Sequence, residues 1–131
     1  MIDYEVKIFN RVHAAVSPLC AKNKFVSKQI VSETAFPAAS LIEMDNTTVR
    51  SLQSSTPGEN FALINYQLDV YAMKKSDCRK VFAAADEAML GMNFSRMSGL
   101  YIDNPGNPDV FRYTARYEAM IDPDGNLYRR P

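Results

Sequence analysis

Several features that define common protein classes are missing from this 131-residue sequence. It has only two cysteines, Cys20 and Cys78, and their wide separation excludes a disulfide framework and closely spaced metal ligands. No apolar run approaches the ~20 residues that cross a bilayer. The acids Asp3 and Glu5 near the N-terminus are not typical of a signal peptide. We therefore expect a soluble protein that is made in a reducing cytoplasm.

The sequence also lacks net charge of one sign. Its 15 basic and 15 acidic residues give a net charge of zero at pH 7. Nucleic-acid-binding domains usually carry a basic footprint, so this balance disfavours them. The hydrophobic fraction of 47% and the charged fraction of 23% are close to globular averages and argue against wholesale disorder. One folded domain spanning residues 1–131 is the simplest interpretation.

Groups that carry catalysis or hold cofactors are sparse. His13 is the single histidine, and its position in an apolar stripe favours a half-buried structural role. The five glycines are scattered, so no phosphate-binding loop is indicated. The acidic turn at 122–126 departs from the calcium-loop pattern. Asp86 and Glu87, adjacent on a predicted helix, point apart and suit a solvated face. We predict no catalytic residue, cofactor or metal site, and hence no enzyme.

Apolar residues at helical spacing predict two helices. The first begins near Asp3, as a possible cap, and ends near Ser17, before Pro18. Its predicted inner face consists of Ile2, Val6, Phe9, His13 and Val16, widened by Ile8, Val12, Ala15 and Leu19. The second begins at Ser76 as N-cap and ends at Gly91 as a left-handed cap. Its predicted inner face consists of Cys78, Val81, Phe82, Ala85, Met89 and Met92.

The remaining segments read as strands and turns. Strands are predicted at 25–31, 38–45, 61–72, 94–102 and 110–121, with a brief strand at 127–129 after a hairpin turn at 122–126. The strand at 61–72 is clearest, because Ile64, Tyr66, Leu68 and Val70 alternate with polar residues. The polar segment 46–60 is predicted to be a long loop, and 103–109 a turn.

The predicted order is α-β-β-β-α-β-β. Short connections favour a two-layer α+β fold, with an antiparallel or mixed sheet of four to five strands and both helices on one face. Tyr113 and Tyr117 share register parity with Ala115, so they are predicted to face the helices. Arg112 and Arg116 then face outward, which disfavours base stacking by these tyrosines. The outer face of the sheet is either solvated or an assembly surface.

Six sequence segments carry a resemblance to a known family. They are IDYEVKIFNRV at 2–12, FPAAS at 36–40 followed by EMDN at 43–46, YQLDVY at 66–71, RYTARYEA at 112–119 and YRR at 128–130. The chain resembles small phage and prophage proteins encoded among head–tail joining genes. It is similar to the tail terminator (tail completion) proteins of long-tailed phages.

The resemblance implies a role in virion assembly. Family members are subunits of a hexameric ring at the head-proximal end of the tail tube, where the ring ends tube polymerisation and docks the head connector. The implied partners are further copies of the chain, the tube protein, and the connector or head-closure protein. DNA only passes through the lumen, which agrees with zero net charge, and no membrane is involved. The implied location is the virion tail or neck, with assembly in the host cytoplasm.

Residues that contact neighbouring subunits or partners are hypothesised on the open sheet face, in the loops and at the C-terminus. They are Arg50, Glu59, Asn65, Gln67, Asp69, Arg112, Arg116, Glu118, Arg129 and Arg130. The loop 46–60 and the turn 103–109 are expected to contact the tube, the connector or the next subunit. Arg112 and Arg116 are expected to pair with acids of an adjacent subunit. Two alternatives stay open, another neck component such as a head-closure or head–tail adaptor protein, and a nucleic-acid-binding α+β module.

Overall fold

Two helices and six strands make up the described part of the fold. The computed structural model describes residues 1–22, 24–28, 35–49, 61–102 and 109–129. The helices are α1 (Glu5–Val16), followed by a 3-10 turn (Ser17–Leu19), and α2 (Lys75–Gly91). The strands are β1 (Phe25–Val26), β2 (Ala38–Thr48), β3 (Ala62–Ala72), β4 (Ser95–Ile102), β5 (Phe111–Ile121) and β6 (Leu127–Tyr128).

The strands form one sheet in the order β1-β2-β3-β5-β4, and β6 pairs with the end of β5. The β1–β2 pair is parallel and the other pairs are antiparallel. The α+β class and the mixed pairing predicted from the sequence are therefore confirmed. The sheet has six strands, more than the four to five predicted, because the two-residue strands β1 and β6 extend it.

Strands β3 and β5 pair over their full length, from Ala62 opposite Ile121 to Ala72 opposite Phe111. The predicted alternation in β3 is confirmed, because Ile64, Tyr66, Leu68 and Val70 are all buried. Both helices cover this face. The buried residues of α1 are Ile8, Val12 and Val16, and those of α2 are Cys78, Val81, Ala85 and Met89.

The predicted inner face of α1 is too wide. Val6 is 73% exposed, and Ala15 and Leu19 are also exposed. The reason is that α1 buries a narrow stripe at intervals of four residues, with Val6 and Ala15 beside it, while Leu19 lies beyond the helix in the 3-10 turn. The N-cap residue is Tyr4 and not Asp3 as predicted, although Oδ1 of Asp3 accepts a hydrogen bond of 3.2 Å from the Glu5 backbone N–H.

Both predicted caps of α2 are wrong. The helix begins at Lys75, with Lys74 as N-cap, so Ser76 lies inside the first turn and makes no capping hydrogen bond. At the other end the helix continues through Gly91. The left-handed residue that reverses the chain is Asn93, at φ 74°. Its side-chain amide donates a 3.1 Å hydrogen bond to the Leu127 carbonyl, which anchors this reversal beside β6.

Strand β2 is longer than predicted. It continues to Thr48, because β3 supplies partners as far as Thr48 opposite Ala62. A bulge between Glu43 and Asp45 shifts the register, which a strict period of two does not allow for. The prediction that the loop begins at residue 46 is therefore wrong, and residues 50–60 and 103–108 lie outside the described part of the chain. Of the strand predicted at 25–31, residues 25–26 form β1, and 29–31 lie outside the described ranges.

The predicted hairpin turn between β5 and β6 is confirmed. The Asp122 carboxylate accepts hydrogen bonds from the backbone N–H groups of Asp124 and Asn126, at 3.0 and 2.9 Å. Gly125 has φ 85° and lies against the ring of Tyr4, where a Cβ atom would approach to 2.7 Å. The Tyr4 hydroxyl donates a 2.7 Å hydrogen bond to the Pro123 carbonyl. The turn is thereby fixed against the start of α1.

Candidate assembly surfaces

The outer face of the sheet brings together six of the ten hypothesised interface residues. Asn65 lies opposite Glu118, Gln67 opposite Arg116, and Asp69 opposite Thr114, next to Arg112. Residues directly opposite each other on antiparallel strands have neighbouring side chains. The predicted polar face therefore exists as one continuous surface across β3 and β5. Neither described helix packs on this side, since both belong to the opposite layer.

An ion pair within the chain dominates this surface. The Nε and Nη2 atoms of Arg112 donate to Oδ1 of Asp69 at 3.2 and 3.0 Å. Gln67 donates a 3.0 Å hydrogen bond to Oδ2 of the same carboxylate. The side chains of Asp69 and Arg112 are only 6% and 28% exposed, and the guanidinium lies 5.6 Å from the ring centre of Tyr71. Arg112 therefore already has an anionic partner within its own chain.

Arg116 and Glu118 differ from Arg112 in their surroundings. Arg116 is exposed and makes no hydrogen bond or ion pair within the described residues, so its charge is open to a partner. Glu118 is only 9% exposed. A buried hydroxyl also lies here, since Ser40 is opposite Asp69 and its Oγ has no hydrogen-bond partner in the described part of the chain.

The other hypothesised interface residues are not part of this face. Arg129 donates a 2.7 Å hydrogen bond from Nη2 to the Leu90 carbonyl at the C-terminal end of α2. A cation there complements the negative end of the helix dipole. Arg50, Glu59 and Arg130 lie outside the described residues.

Strand β4 presents a second candidate surface, which the sequence analysis missed. It is the last strand on its side of the sheet and has no outer partner among the described residues. Met97 and Leu100 on this strand are 59% and 50% exposed. A bulge lies between Arg96 and Ser98. Edge strands with exposed apolar residues are sites where another chain can add. No alternating pattern in 94–102 signalled this position at the edge.

The tyrosines of β5 face the helices, as predicted. Tyr117 is fully buried and donates a 2.6 Å hydrogen bond to Oδ1 of Asp86. Tyr113 packs on Phe82 of α2 with ring centres 4.1 Å apart. Burial and the bond to Asp86 raise the pKa of Tyr117 above its ordinary value. These rings are therefore committed to the core and are not free to stack on bases.

Asp86 itself corrects an expectation. It was predicted to lie on a solvated face, but its side chain is 16% exposed. Besides Tyr117, it binds Nη1 of Arg96 at 2.8 Å. Helical spacing places Asp86 at the margin of the buried stripe, where a tyrosine from the sheet below can reach it. Glu87, one residue further, is exposed as predicted.

His13 and the cysteines have structural surroundings. The His13 ring is half-buried and lies 5.7 Å from the ring centres of both Phe9 and Phe25, which confirms the predicted role. Cys78 is fully buried, and Cys20 is half-buried. Burial raises the pKa of both thiols to about 11. They remain protonated at neutral pH, so neither is an activated nucleophile.

Two further features lie near the start of α1. An open cavity of about 510 Å³ is lined by residues including Tyr4, Lys7, Arg11, Met92 and Tyr128. Nearby, the carboxylate oxygens of Asp3, Glu5 and Glu43 lie within 4.8 Å of one another. The sequence did not reveal this cluster, because Glu43 is distant in the chain and only the fold brings it to the N-terminus.

Burial and the neighbouring Glu5 carboxylate raise the pKa of Glu43. The Tyr66 hydroxyl donates a 3.3 Å hydrogen bond to Glu43 and partly opposes this effect. In the described part of the chain, neither helix combines the length and apolar character needed to span a membrane.

The geometry defines a two-layer α+β domain in which both helices pack on one face of the sheet and neither described helix packs on the other. No known family model matches the sequence, and no curated protein matches it. The tail terminator resemblance therefore stays a prediction. Among solved structures, the fold is similar to a chain of the "Virion of native gene transfer agent (GTA) particle", with a TM-score of 0.65. The match has 14% sequence identity and covers 92% of this chain and 99% of that chain. At this identity the likeness shows a shared fold.

Proposed function

We propose that this chain is a structural protein of a phage-like virion, and that it forms a ring, hexameric in the family it resembles, at the head-proximal end of the tail tube. The observation that carries the proposal is the fold match to a virion chain over nearly the whole length of both chains. The match covers 92% of this chain and 99% of the virion chain, so the similarity of fold is not confined to a fragment of either. The resemblance to tail terminator proteins supports the position proposed within the particle.

The unsatisfied surfaces of the domain support assembly. The outer face of β3 and β5 carries Arg116 without a partner among the described residues, and the outer edge of β4 carries exposed Met97 and Leu100. Natural proteins usually cover such edges. A closed ring covers them with the neighbouring copy, because each subunit then presents the same two surfaces in turn.

The proposed ring acts by shape. One side matches the tube and the other matches the connector, so no further tube subunit can add once the ring is seated. A lumen with a strongly basic lining would bind phosphate with steep salt dependence. The zero net charge of the chain is consistent with DNA passing without being held.

The particle itself provides the test. We expect a reconstruction of the intact virion to show this chain as a ring between the tail tube and the connector. Deleting its gene is expected to yield filled heads that lack tails, together with tubes of uncontrolled length. Supplying the wild-type chain in trans is the control and is expected to restore joined particles. Location of the chain in the head or at the distal tail tip would contradict the proposal.

A deletion tests the contact predicted for the loop 46–60. Thr47 and Thr48 belong to β2, where they pair with Leu63 and Ala62, and have to be kept. Deleting residues 51–58 spares this pairing. We expect the shorter deletion to leave a folded chain that no longer supports infectious particles. Unchanged particle yield would contradict a role for this loop.

A further inference from the structure

Charges of opposite sign are gathered in two regions of this domain, with exposed cations in one and with exposed Asp3 and half-buried Glu5 and Glu43 in the other. We define the basic end as Lys74, Lys75, Arg79 and Lys80 at the start of α2, and the acidic end as Asp3, Glu5 and Glu43 at the start of α1. The chain as a whole has zero net charge, so composition does not reveal this separation.

The basic end has an excess of positive charge, with four cations against the single acid Asp77 in the same segment of α2. All four side chains are exposed, and none forms an ion pair with another described residue. The Nζ of Lys75 lies 4.6 Å from the ring centre of Tyr101, and Nε of Arg79 donates a 3.2 Å hydrogen bond to the hydroxyl of the same tyrosine. Tyr101 thus holds two of the cations in a fixed arrangement at the surface.

The charges of α2 oppose its own dipole. Cations are unfavourable near the positive N-terminal end of a helix, and acids are unfavourable near its C-terminal end. In α2 the cations come first, with Asp77 as the one acid in the first turn, and the acids Asp86 and Glu87 follow in the second half. The helix dipole does not favour Lys74 and Lys75 at the start of α2, so local helix stability does not account for these two cations.

The acidic end is crowded as well. The carboxylate oxygens of Asp3, Glu5 and Glu43 lie within 4.8 Å of one another. Lys7, one turn beyond Asp3 on α1, forms no ion pair with this group. Like charges this close repel, so a cation from outside the chain would stabilise them.

The two ends cannot neutralise each other within one copy. The side-chain amide of Asn46 donates to the Ile2 carbonyl, which places the start of α1 beside the late part of β2, at the end of the sheet where Ala62 lies. Helix α2 begins directly after Ala72, at the opposite end of β3. Glu43 lies opposite Tyr66, six residues before Ala72, so the strand separates it from the start of α2 by roughly 20 Å, whereas charges are screened over about 8 Å at physiological ionic strength.

We propose that the basic end of one copy binds the acidic end of the next copy. Such a contact is heterologous, because two different patches meet, and repetition produces a closed ring or an open filament. This contact identifies the two surfaces that join neighbouring copies in the proposed ring. That repetition closes into a ring rests on the proposed function. A second copy is the occupant because the same chain carries both complementary patches.

Charge reversal in two directions tests the contact. K74E/K80E leaves the cations Lys75 and Arg79, with their contacts to Tyr101, against the two new acids and Asp77 of the same turn, so the basic end becomes net acidic. D3K/E5K leaves Glu43 against two new lysines, so the acidic end becomes net basic. Self-association is measured by sedimentation velocity and native mass spectrometry at low and at high salt. We expect each variant alone to associate at least about tenfold more weakly than the wild type, because it presents two ends of like charge. High salt is expected to weaken wild-type association as well.

Two rescue measurements separate this contact from general damage. The quadruple variant carrying all four reversals again has opposite ends and is expected to associate. An equimolar mixture of the two double variants is expected to form alternating complexes. The control R11E/K28E changes two exposed cations outside both patches by the same charge and is expected to associate like the wild type. Circular dichroism establishes that each variant is folded. E5K alone provides a second acidic-end variant if D3K/E5K does not fold.

Rescue in both measurements supports the contact. Association that is insensitive to the double reversals, or that neither the quadruple variant nor the mixture restores, overturns it. A wild-type chain that stays monomeric at low salt also overturns it. These results leave the proposed function standing if the particle reconstruction still shows a ring at the junction. Location of the chain elsewhere in the particle refutes that function, whatever the reversals show.

Discussion

The two faces of the central sheet are built on different principles. On the helix-covered face, Tyr66, Leu68 and Tyr117 are at most 1% exposed and belong to one apolar cluster. On the outer face, Asn65 and Gln67 are half-buried beside the ion pair of Asp69 and Arg112. Burial of apolar area therefore stabilises the first face in an isolated chain, whereas the polar groups of the second depend on what covers them. One side of these strands therefore stabilises the fold, and the opposite side is the one available for the proposed assembly.

Truncation of a side chain on the covered face is expected to have the largest effect on the free energy of unfolding. Tyr117→Ala removes a fully buried ring and leaves Asp86 without its 2.6 Å hydrogen-bond donor. We expect a loss of about 3–5 kcal/mol in the free energy of unfolding. The measurement is the denaturant midpoint of the purified chain. Arg116→Ala, one position earlier on the same strand but on the outer face, is the matched control and is expected to change stability by less than about 0.5 kcal/mol.

Similar losses for both variants would contradict the division between the two faces. They would mean that the outer side of β5 is also required for the isolated fold. A loss of assembly with Arg116→Ala, at unchanged stability, would sharpen the division, because it would assign the exposed cation to a partner.

The ion pair on the outer face is expected to have an intermediate effect. Asp69→Ala leaves the largely buried Arg112 guanidinium without its anionic partner and removes the acceptor of Gln67. We expect a loss of about 1–3 kcal/mol, less than for a fully buried pair because Arg112 is 28% exposed. A double-mutant cycle with Arg112→Ala measures the coupling between the two side chains. If the stability losses of the two single variants add up to that of the double variant, Asp69 and Arg112 do not stabilise each other.

The same division explains what the sequence could predict. The alternation in β3 is local, since each residue follows its neighbour at a period of two, and it identified Ile64, Tyr66, Leu68 and Val70 as core. The paired strand β5 and the turn at 122–126 were predictable for the same reason. These features fix the covered face, which is why the α+β class followed from the sequence.

Features that depend on contacts between distant segments were not predictable. The bulge after Glu43 arises because β3 continues to pair beyond it, and the burial of Asp86 arises from Tyr117 on another strand. The pairing of Asp69 with Arg112 gives an internal partner to a residue that sequence alone assigned to a neighbouring subunit. The acidic cluster joins residues from α1 and β2. Charge and register at these positions are set by tertiary structure, and residue spacing carries no signal for them.

A substitution of Glu43, at the edge of the covered face, is expected to have the smallest effect on the free energy of unfolding. This effect is expected to depend on pH. Glu43 lies where the covered face meets the start of α1, and burial and Glu5 raise its pKa. A carboxyl whose pKa is raised on folding favours the folded state at low pH. That contribution is lost as pH rises from the ordinary pKa through the raised one, because the unfolded chain releases its proton first. Glu43→Gln removes this loss and keeps an acceptor for the Tyr66 hydroxyl.

We therefore expect Glu43→Gln to be slightly more stable than the wild type at pH 7, by less than the change expected for Asp69→Ala, and equal to it near pH 4, about the ordinary glutamate pKa. Denaturant midpoints at the two pH values measure the difference. Glu87→Gln makes the same chemical change at an exposed position of α2 and is expected to have no such pH dependence. A Gln variant that is less stable at pH 7 would mean that the ionised carboxylate is satisfied at this edge. The acidic end would then need no second copy to stabilise it.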